Sequence, residues 1–523
     1  MKITLKYPRC ALSAVTILVL GLAISGGSSL ARAADAAPRL ERSQCATEVL
    51  VKMRAVCYEF TGPENWDHPN GRTVTLPIAV LTDSETDPDQ PPVFFFQGGP
   101  GTSVLDSESW IRTWWNDVKP RTLVVLDPRG VWHTKPALLC PGIEVIDHYW
   151  RRFAPNIFGL KSLDERIKQH ADYVKSCYEK LKSEGVDVTQ YTDFQVARDV
   201  DEIRKAFGYK TINVYGWSGG TGTILTYLKY YGAHLRSAIV LGPWPHHVTS
   251  RPPIRDLYDA QQQWIDFLAI CVRENKECAS RFPDYMYELD RARAILDAKP
   301  YITTIASEMT PTKRLKIRID GATLMSWLYI NMEDKYHLLP KALESIKRGD
   351  YAALNDFFDL DKGDTPATAR RTTGHFNTRM CGDLGKNRVT PQEATAMIKR
   401  EPALIGFEQP VFCGWWGEDG DVPPDMNTPP VSNVPLLAIH GQFDGCCGMR
   451  NSESMVRTMP NLQRVEIQAE GHDGGRACRG KLVSAFLNAP DAKLDDSCKD
   501  DVPLRPWVFY QGGDGGHRHG QRD

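Results

Sequence analysis

Gly216-Trp217-Ser218-Gly219-Gly220 follows directly on the apolar run Thr211–Tyr215 and precedes a stretch patterned like a helix. Strand, G-x-S-x-G and helix in that order make a sharp turn that lifts a serine hydroxyl above the end of a parallel sheet. There a histidine can take its proton. Such a turn needs a glycine-rich oxyanion loop upstream, an acid downstream and a histidine after the acid. Without them, a glycine-rich strand–helix turn with an incidental serine explains the residues equally well.

All three are present. Val93-Phe94-Phe95-Phe96-Gln97-Gly98-Gly99-Pro100-Gly101 reads as a buried strand ending in a glycine turn. Acyl transfer places negative charge on a carbonyl oxygen, and glycines let backbone N–H groups approach it. Gly99 and Gly219 are the candidate donors. A phosphate loop fits poorly, because the Gly-Lys-Ser/Thr ending is missing. Downstream, a strand around Pro435–Ile439 leads to Asp444, and the next, Val465–Gln468, leads to His472. Both lie just past strand ends, where open α/β sheets build their sites. His440 is the rival base but sits at a strand end, as a hydrogen-bonded core histidine would. Asp473 is the rival acid, although a neighbour in sequence rarely reaches its own histidine's ring. Ser218, Asp444 and His472 are therefore the candidate catalytic residues.

The first residues look like a targeting segment. Lys2, Lys6 and Arg9 precede an apolar run from about Ala11 to Ile24, and Ala31-Arg32-Ala33 resembles a cleavage site. The run is shorter than the roughly 20 residues a membrane span needs. Cleavage after residue 33 removes Lys2, Lys6, Arg9 and Arg32 from 63 basic residues against 65 acidic, leaving a charge of about −6. A mildly acidic surface gives no reason to expect nucleic acid or anionic membrane as partners. The expected compartment is outside the cytoplasm, periplasmic or extracellular.

Twelve of the 13 cysteines follow the leader, and in an exported chain an even number favours disulfides. Nearest-neighbour pairing joins Cys45 with Cys57, Cys140 with Cys177, Cys271 with Cys278, Cys381 with Cys413 and Cys478 with Cys498. Cys446 and Cys447 are left either to bridge each other or to reach elsewhere. No C-x-x-C spacing supports a zinc site.

Strand candidates are Thr73–Leu81, Pro92–Phe96, Thr122–Leu126, Thr211–Tyr215, Ser237–Leu241, Val434–Ile439 and Arg464–Gln468. Amphipathic stretches alternate with them (Ser162–Ser183, Phe194–Phe207, Thr221–Tyr231), which predicts a mostly parallel α/β sheet. Strands stop after Leu241 and resume at Val434. Between them come helical patterns at Tyr258–Arg273, Tyr285–Leu296, Ala322–Met332, His337–Arg348 and Pro391–Lys399. The expected organisation is a leader at 1–33, core at 34–250, helical cap at 251–425, core again at 426–505 and a flexible tail at 506–523. His517 and His519 in that tail are a weak metal pair, and disorder suits its composition better.

These motifs resemble the secreted α/β-hydrolases of the prolyl and tripeptidyl aminopeptidase type. Gln97-Gly98-Gly99-Pro100-Gly101 is similar to that family's His-Gly-Gly-Pro-Gly, and Asp127-Pro128-Arg129-Gly130 to its Asp-Gln-Arg-Gly. Cys381-Gly382-Asp383, Cys413-Gly414-Trp415-Trp416 and Gly471-His472 followed by Cys478 and Cys498 resemble its later segments. The resemblance implies an α/β-hydrolase fold with a helical cap inserted before the last strands. It also implies a serine hydrolase of short peptides or small molecules that needs no metal or cofactor. Three positions depart from the family: Gly219 stands where tyrosine is usual, Gln97 where histidine is, and Asp444-Gly445-Cys446-Cys447-Gly448 lacks the usual Thr-Pro. All three ring the pocket, so an esterase or amidase of small compounds stands beside the aminopeptidase. In the family, acidic cap groups bind the substrate's amino terminus; Glu333 and Asp334 are candidates, although a solvated helix face explains them as well. A non-catalytic binding protein on the same fold is the alternative from another class. Oligomeric state has no readable signal.

Overall fold

Successive strand residues point to opposite faces of a sheet, and here both faces are apolar. In β4 (Val93–Phe96), Phe94 and Phe96 enter one core cluster while Val93 and Phe95 enter the other. β6 (Ile212–Trp217), β7 (Leu235–Leu241) and β10 (Leu436–Gly441) divide the same way: Val214, Ala238, Val240 and Leu436 on one side, Tyr215, Ile239, Leu241 and Leu437 on the other. Strands apolar on both faces need helices on both. The computed structural model supplies them; it describes residues 38–140, 162–249, 269–306, 314–358, 360, 372–406 and 410–511.

The nine-stranded sheet runs β1-β2-β3-β5-β4-β6-β7-β10-β11, with β1 at Arg39–Arg42, β2 at Val56–Pro63, β3 at Thr73–Leu81, β5 at Leu123–Leu126 and β11 at Leu462–Ile467. From β5 to β11 every neighbouring pair is parallel, and β1, β2 and β3 add antiparallel strands at one edge. Helices α1 (Glu108–Val118) and α10 (Arg476–Asn488) cover one face through Ile111, Trp114, Leu482 and Phe486. Helices α3 (Asp193–Ala206) and α4 (Gly220–Tyr231) cover the other through Val196, Val200, Ile224 and Leu228. Helix α2 (Leu163–Ser183) opens with a capping box between Ser162 and Glu165, satisfying amides that a helix start leaves without partners.

The seven expected strands are all present, with ends shifted by at most two residues. Two more, β1 and β2, were not expected. β1 is a mostly exposed Arg-Leu-Glu-Arg segment held by pairing to β2, and so carries no apolar signal.

Between β7 and β10 the described residues form α5 (Tyr285–Ala298), α6 (Gly321–Lys335), α7 (Leu339–Arg348), α8 (Thr373–Leu384) and α9 (Pro391–Arg400). The expectation that no strand falls between Leu241 and Val434 is corrected: β8 (Tyr301–Ala306) and β9 (Arg314–Ile319) form an antiparallel hairpin. Their β-branched residues and the charged alternation of β9 suit a separate two-stranded ribbon. The His337–Arg348 pattern divides into a 3-10 turn at Tyr336–Leu338 and α7, with Pro340 in the first turn where its missing N–H costs nothing. The leader, residues 258–268 of the expected Tyr258–Arg273 helix, and His517 and His519 lie outside the described residues, as do the side chains of Glu333 and Asp334.

Helix α8 belongs to this inserted stretch but is tied to the sheet's loops. The Thr372 amide donates to Gly101 O at 2.8 Å, Trp132 N to Thr372 Oγ1 at 3.1 Å, and Asp193 N to Asp383 Oδ1 at 2.8 Å. All five nearest-neighbour disulfides form as expected. Among the described residues, no helix is long and apolar enough to cross a membrane.

Candidate active site

Ser218 follows β6 immediately and has φ 55°, a conformation that non-glycine residues adopt uncommonly and that costs energy. The surrounding bonds hold it there. Its amide donates to Leu241 O at 2.8 Å on the neighbouring strand, and its carbonyl accepts from Thr221 N at 2.9 Å and Thr221 Oγ1 at 2.5 Å. A trans peptide points its N–H opposite to its C=O. With Ser218 O turned into the first turn of α4, the Gly219 N–H therefore points out of that helix's N-terminus. Gly220 makes the turn sterically possible: a Cβ there would lie 2.2 Å from Phe96 O.

Asp444 and His472 come from two loops drawn together by backbone contact. A Cβ on Gly441, the last residue of β10, would lie 1.9 Å from Gly471 O, so only glycine lets the loops meet. His472 Nδ1 is 2.7 Å from Asp444 Oδ2. The other carboxylate oxygen, Oδ1, accepts from Cys446 N at 3.1 Å and Cys447 N at 2.9 Å. Burial works against the charge on Asp444, but His472, the Cys447 amide and the Cys446 side chain outweigh it and lower its pKa. An ionised carboxylate only accepts, so the proton of this bond sits on Nδ1 and Nε2 of the neutral ring is left as the acceptor. Burial also opposes charge on His472, yet Asp444 raises its pKa well above the ordinary histidine value.

The histidine loop is clamped on both sides. Trp217 Nε1, from the residue before Ser218, donates to His472 O at 2.9 Å, and the two rings lie 5.3 Å apart. Arg479 Nη1 donates to Asp473 O at 2.6 Å, while its Nε donates to the buried Asp117 at 2.9 Å. Asp473 thus holds the loop through its carbonyl, and its carboxylate accepts from Gly475 N at 3.2 Å. His440 is a core histidine: its ring nitrogens lie 3.0 Å from Cys447 O and 2.9 Å from Ser452 Oγ, and burial lowers its pKa to about 4.

Beside Gly219 opens a small cleft lined by Pro100, Trp244, Met380 and Leu384 together with His246, Arg379 and Asp383. Sequence reasoning missed this polar group. Asp193, at the start of α3, accepts from Arg379, from Thr223 Oγ1 at 2.5 Å and faces His246 Nε2 at 2.8 Å. Asp383 lies 3.7 Å from Arg379 Nε and 3.9 Å from His246. Burial and the neighbouring Asp193 charge raise the Asp383 pKa to about 7. His246 has its pKa raised, because the two carboxylates outweigh burial. Two signals pointed here: Asp383 in Cys381-Gly382-Asp383, and a histidine pair just past the C-terminal end of β7.

Residues 91–267 match the α/β hydrolase fold model and residues 406–498 the TAP-like protein model. The chain has the α/β-hydrolase fold, and its C-terminal region is similar to TAP-like proteins. It is 26% identical over 219 residues to a tripeptidyl aminopeptidase of Streptomyces coelicolor, covering 41% of this chain and 40% of that protein. Over 246 residues it is 27% identical to the serine protease Hip1 of Mycobacterium bovis, 44% of this chain and 45% of that protein. It is also 28% identical over 364 residues to carboxylesterase B of Mycobacterium tuberculosis, 67% of this chain and 65% of that protein. The matched stretch spans about two fifths of the Streptomyces protein's length. The α/β-hydrolase assignment agrees with the parallel sheet and with the fold expected from G-x-S-x-G.

Proposed function

We propose that the chain is an exported serine hydrolase whose nucleophile is Ser218, with His472 as the base and Asp444 as the residue that orients it. The observation that carries this is the 2.7 Å His472–Asp444 bond, in a loop that Trp217 Nε1 ties to the residue before a serine held at φ 55° on a strand–helix turn. His472 Nε2 takes the Ser218 proton as Oγ attacks an acyl carbon. The oxyanion faces the amides of Gly219 and Gly99, and the imidazolium then protonates the leaving group. Water repeats the sequence on the acyl-enzyme, and no metal or cofactor takes part. Five disulfides and the basic–apolar leader support export.

The substrate we propose is a short peptide entering by its free amino terminus. The tripeptidyl aminopeptidase and protease names of the relatives favour it, as does the cleft. Asp193 neutralises Arg379, which leaves Asp383 as the carboxylate lining the cleft, on a helix of the inserted stretch. A second reading, a carboxylic ester hydrolase, is favoured by the carboxylesterase relative, whose match covers the larger share of the chain.

The test compares a peptide anilide bearing a free amino terminus with its N-acetylated twin and an aryl ester, using wild type and Ser218→Ala. Cleavage of the free peptide alone, lost in Ser218→Ala, is expected. Ester cleavage with both peptides untouched overturns the peptidase in favour of the esterase. Turnover that survives Ser218→Ala, or none with any substrate and no fluorophosphonate labelling, overturns the serine hydrolase.

A further inference from the structure

We propose that Cys446, Cys447, His472 and Asp444 form a binding site for a thiophilic divalent cation, zinc or cadmium in character, and that filling it silences the hydrolase. The silencing half rests on the function proposed above; the binding half does not.

The other ten described cysteines are consumed by five disulfides, and Cys446 and Cys447 belong to none. Their sulfurs lie 2.8 Å apart on the turn that follows Asp444. Cys446 Sγ is 3.4 Å from Asp444 Oδ1 and 3.7 Å from His472 Nδ1. One donor atom from each of the four residues can be chosen so that all lie within 4.8 Å of one another. Two sulfurs, an imidazole nitrogen and a carboxylate oxygen are the donors that borderline-soft d¹⁰ cations take.

The distances can be compared with a real coordination sphere. Metal–sulfur bonds of about 2.3 Å and metal–nitrogen bonds of about 2.0 Å place tetrahedral ligand atoms roughly 3.3–3.8 Å apart. The two separations from Cys446 Sγ to Nδ1 and Oδ1 already fall there. The sulfur–sulfur separation must widen, and Gly445 and Gly448 flank the pair, so the turn has room to adjust. The other short separation is the His472–Asp444 bond itself. A metal at Nδ1 displaces the proton that Asp444 holds, and the ring loses the partner that orients it. Access is from one side, where the His472 side chain is 19% exposed and Cys446 is half-buried, while Cys447 and Asp444 lie buried behind them.

The step is coordination without redox change: two thiols release their protons to solvent, the Nδ1 proton moves to Nε2 so that the ring stays neutral, and bonds from the metal to the two sulfurs, Nδ1 and an Asp444 oxygen form. With Nε2 protonated, the ring can no longer take the Ser218 proton. The sequence spacing argued against zinc because it lacks C-x-x-C. The fold instead assembles the donors from an adjacent cysteine pair and a histidine one strand later.

Cadmium titration into the protein purified without reductant, followed by thiolate-to-cadmium charge-transfer absorption, tests the binding half. A band saturating at about one ion per chain is expected, lost in Cys446→Ser and in Cys447→Ser. His472→Gln is expected to weaken it at least about tenfold. In parallel, cadmium should slow fluorophosphonate labelling of Ser218, and a chelator should restore it. Thermal melts by circular dichroism establish that each variant folds. If a serine variant does not, cadmium protection of both wild-type cysteines from alkylation, read by peptide mass spectrometry, replaces it. Absence of a band, a band that persists in both cysteine variants, or a covalent bridge between the two cysteines overturns the site. Labelling that proceeds unchanged with the site loaded overturns the silencing. If the unloaded protein is never labelled, the serine hydrolase fails on its own, and the band still decides the site.

Discussion

Arg379 on α8 donates to the carbonyl of Gly219 at 2.6 Å, so a side chain from the inserted stretch holds the carbonyl of the residue immediately after the candidate nucleophile. The same guanidinium pairs with Asp193 at the start of α3. Both bonds come from Nη2, one atom further along the side chain than a lysine ammonium reaches, so lysine keeps the charge but falls short of the two partners. Arg379→Lys is therefore expected to lower kcat/KM by about 10²-fold, chiefly through kcat, while the protein stays folded. Steady-state kinetics beside a thermal melt decide it; full activity would deny Arg379 any part in positioning the turn.

The pH profile should carry the mark of Asp444. The base must be neutral to accept a proton, so activity is lost as pH falls through the His472 pKa. Because Asp444 raises that pKa, the acid limb of kcat/KM should lie above about 6.5. Asp444→Asn removes the carboxylate charge, so the limb should shift to lower pH while kcat falls by roughly 10⁴-fold. A limb that stays in place would separate Asp444 from the titration.

Gly220→Ala puts a methyl group where 2.2 Å separates it from Phe96 O, against backbone that cannot swing aside. A loss of about 1–3 kcal/mol of stability is expected, with slower fluorophosphonate labelling of Ser218 in the folded fraction. Denaturant titration and labelling rate together read it; unchanged values in both would show that the turn accommodates a side chain.

Arg129, of Asp127-Pro128-Arg129-Gly130, has a purely architectural place. It forks onto Asp199 at 2.5 and 2.7 Å and donates to Glu64 O and Gln190 O, all buried. Asp199→Ala leaves that guanidinium buried without its counter-charge, so about 3–5 kcal/mol should be lost. Activity per folded molecule should not change. Denaturant midpoints with active-site titration test it, and a loss below about 1 kcal/mol would mean water reaches the cation.

Legibility in the sequence followed the physics of each element. Strands such as β4, buried on both faces, are unbroken apolar runs, and the turn at Ser218 needs small residues at fixed offsets; both leave marks in one dimension. β1 left none, because its stability comes from pairing with β2 and its side chains face water. The hairpin of β8 and β9 went unread for a different reason: a two-stranded ribbon outside the main sheet breaks the strand–helix alternation that guided the assignment. Asp444 and His472 were legible from position after strands. The Asp193–His246–Arg379–Asp383 group was not, since its members come from three separate segments and meet only through tertiary packing.

Cys381 lies on α8 between Arg379 and Asp383 and is bridged to Cys413, so one wall of the cleft is riveted covalently to a segment 32 residues further along. No disulfide includes Ser218, Asp444 or His472; strands, backbone hydrogen bonds and the side chains of Trp217 and Arg479 set them in place, and the bridge that follows them, Cys478–Cys498, begins on α10. The redox state of the compartment where the chain matures therefore acts unevenly on the two halves of the site. Matured under reducing conditions, the protein would keep its reactive centre in register and lose the fastening of the surface that chooses what reaches it.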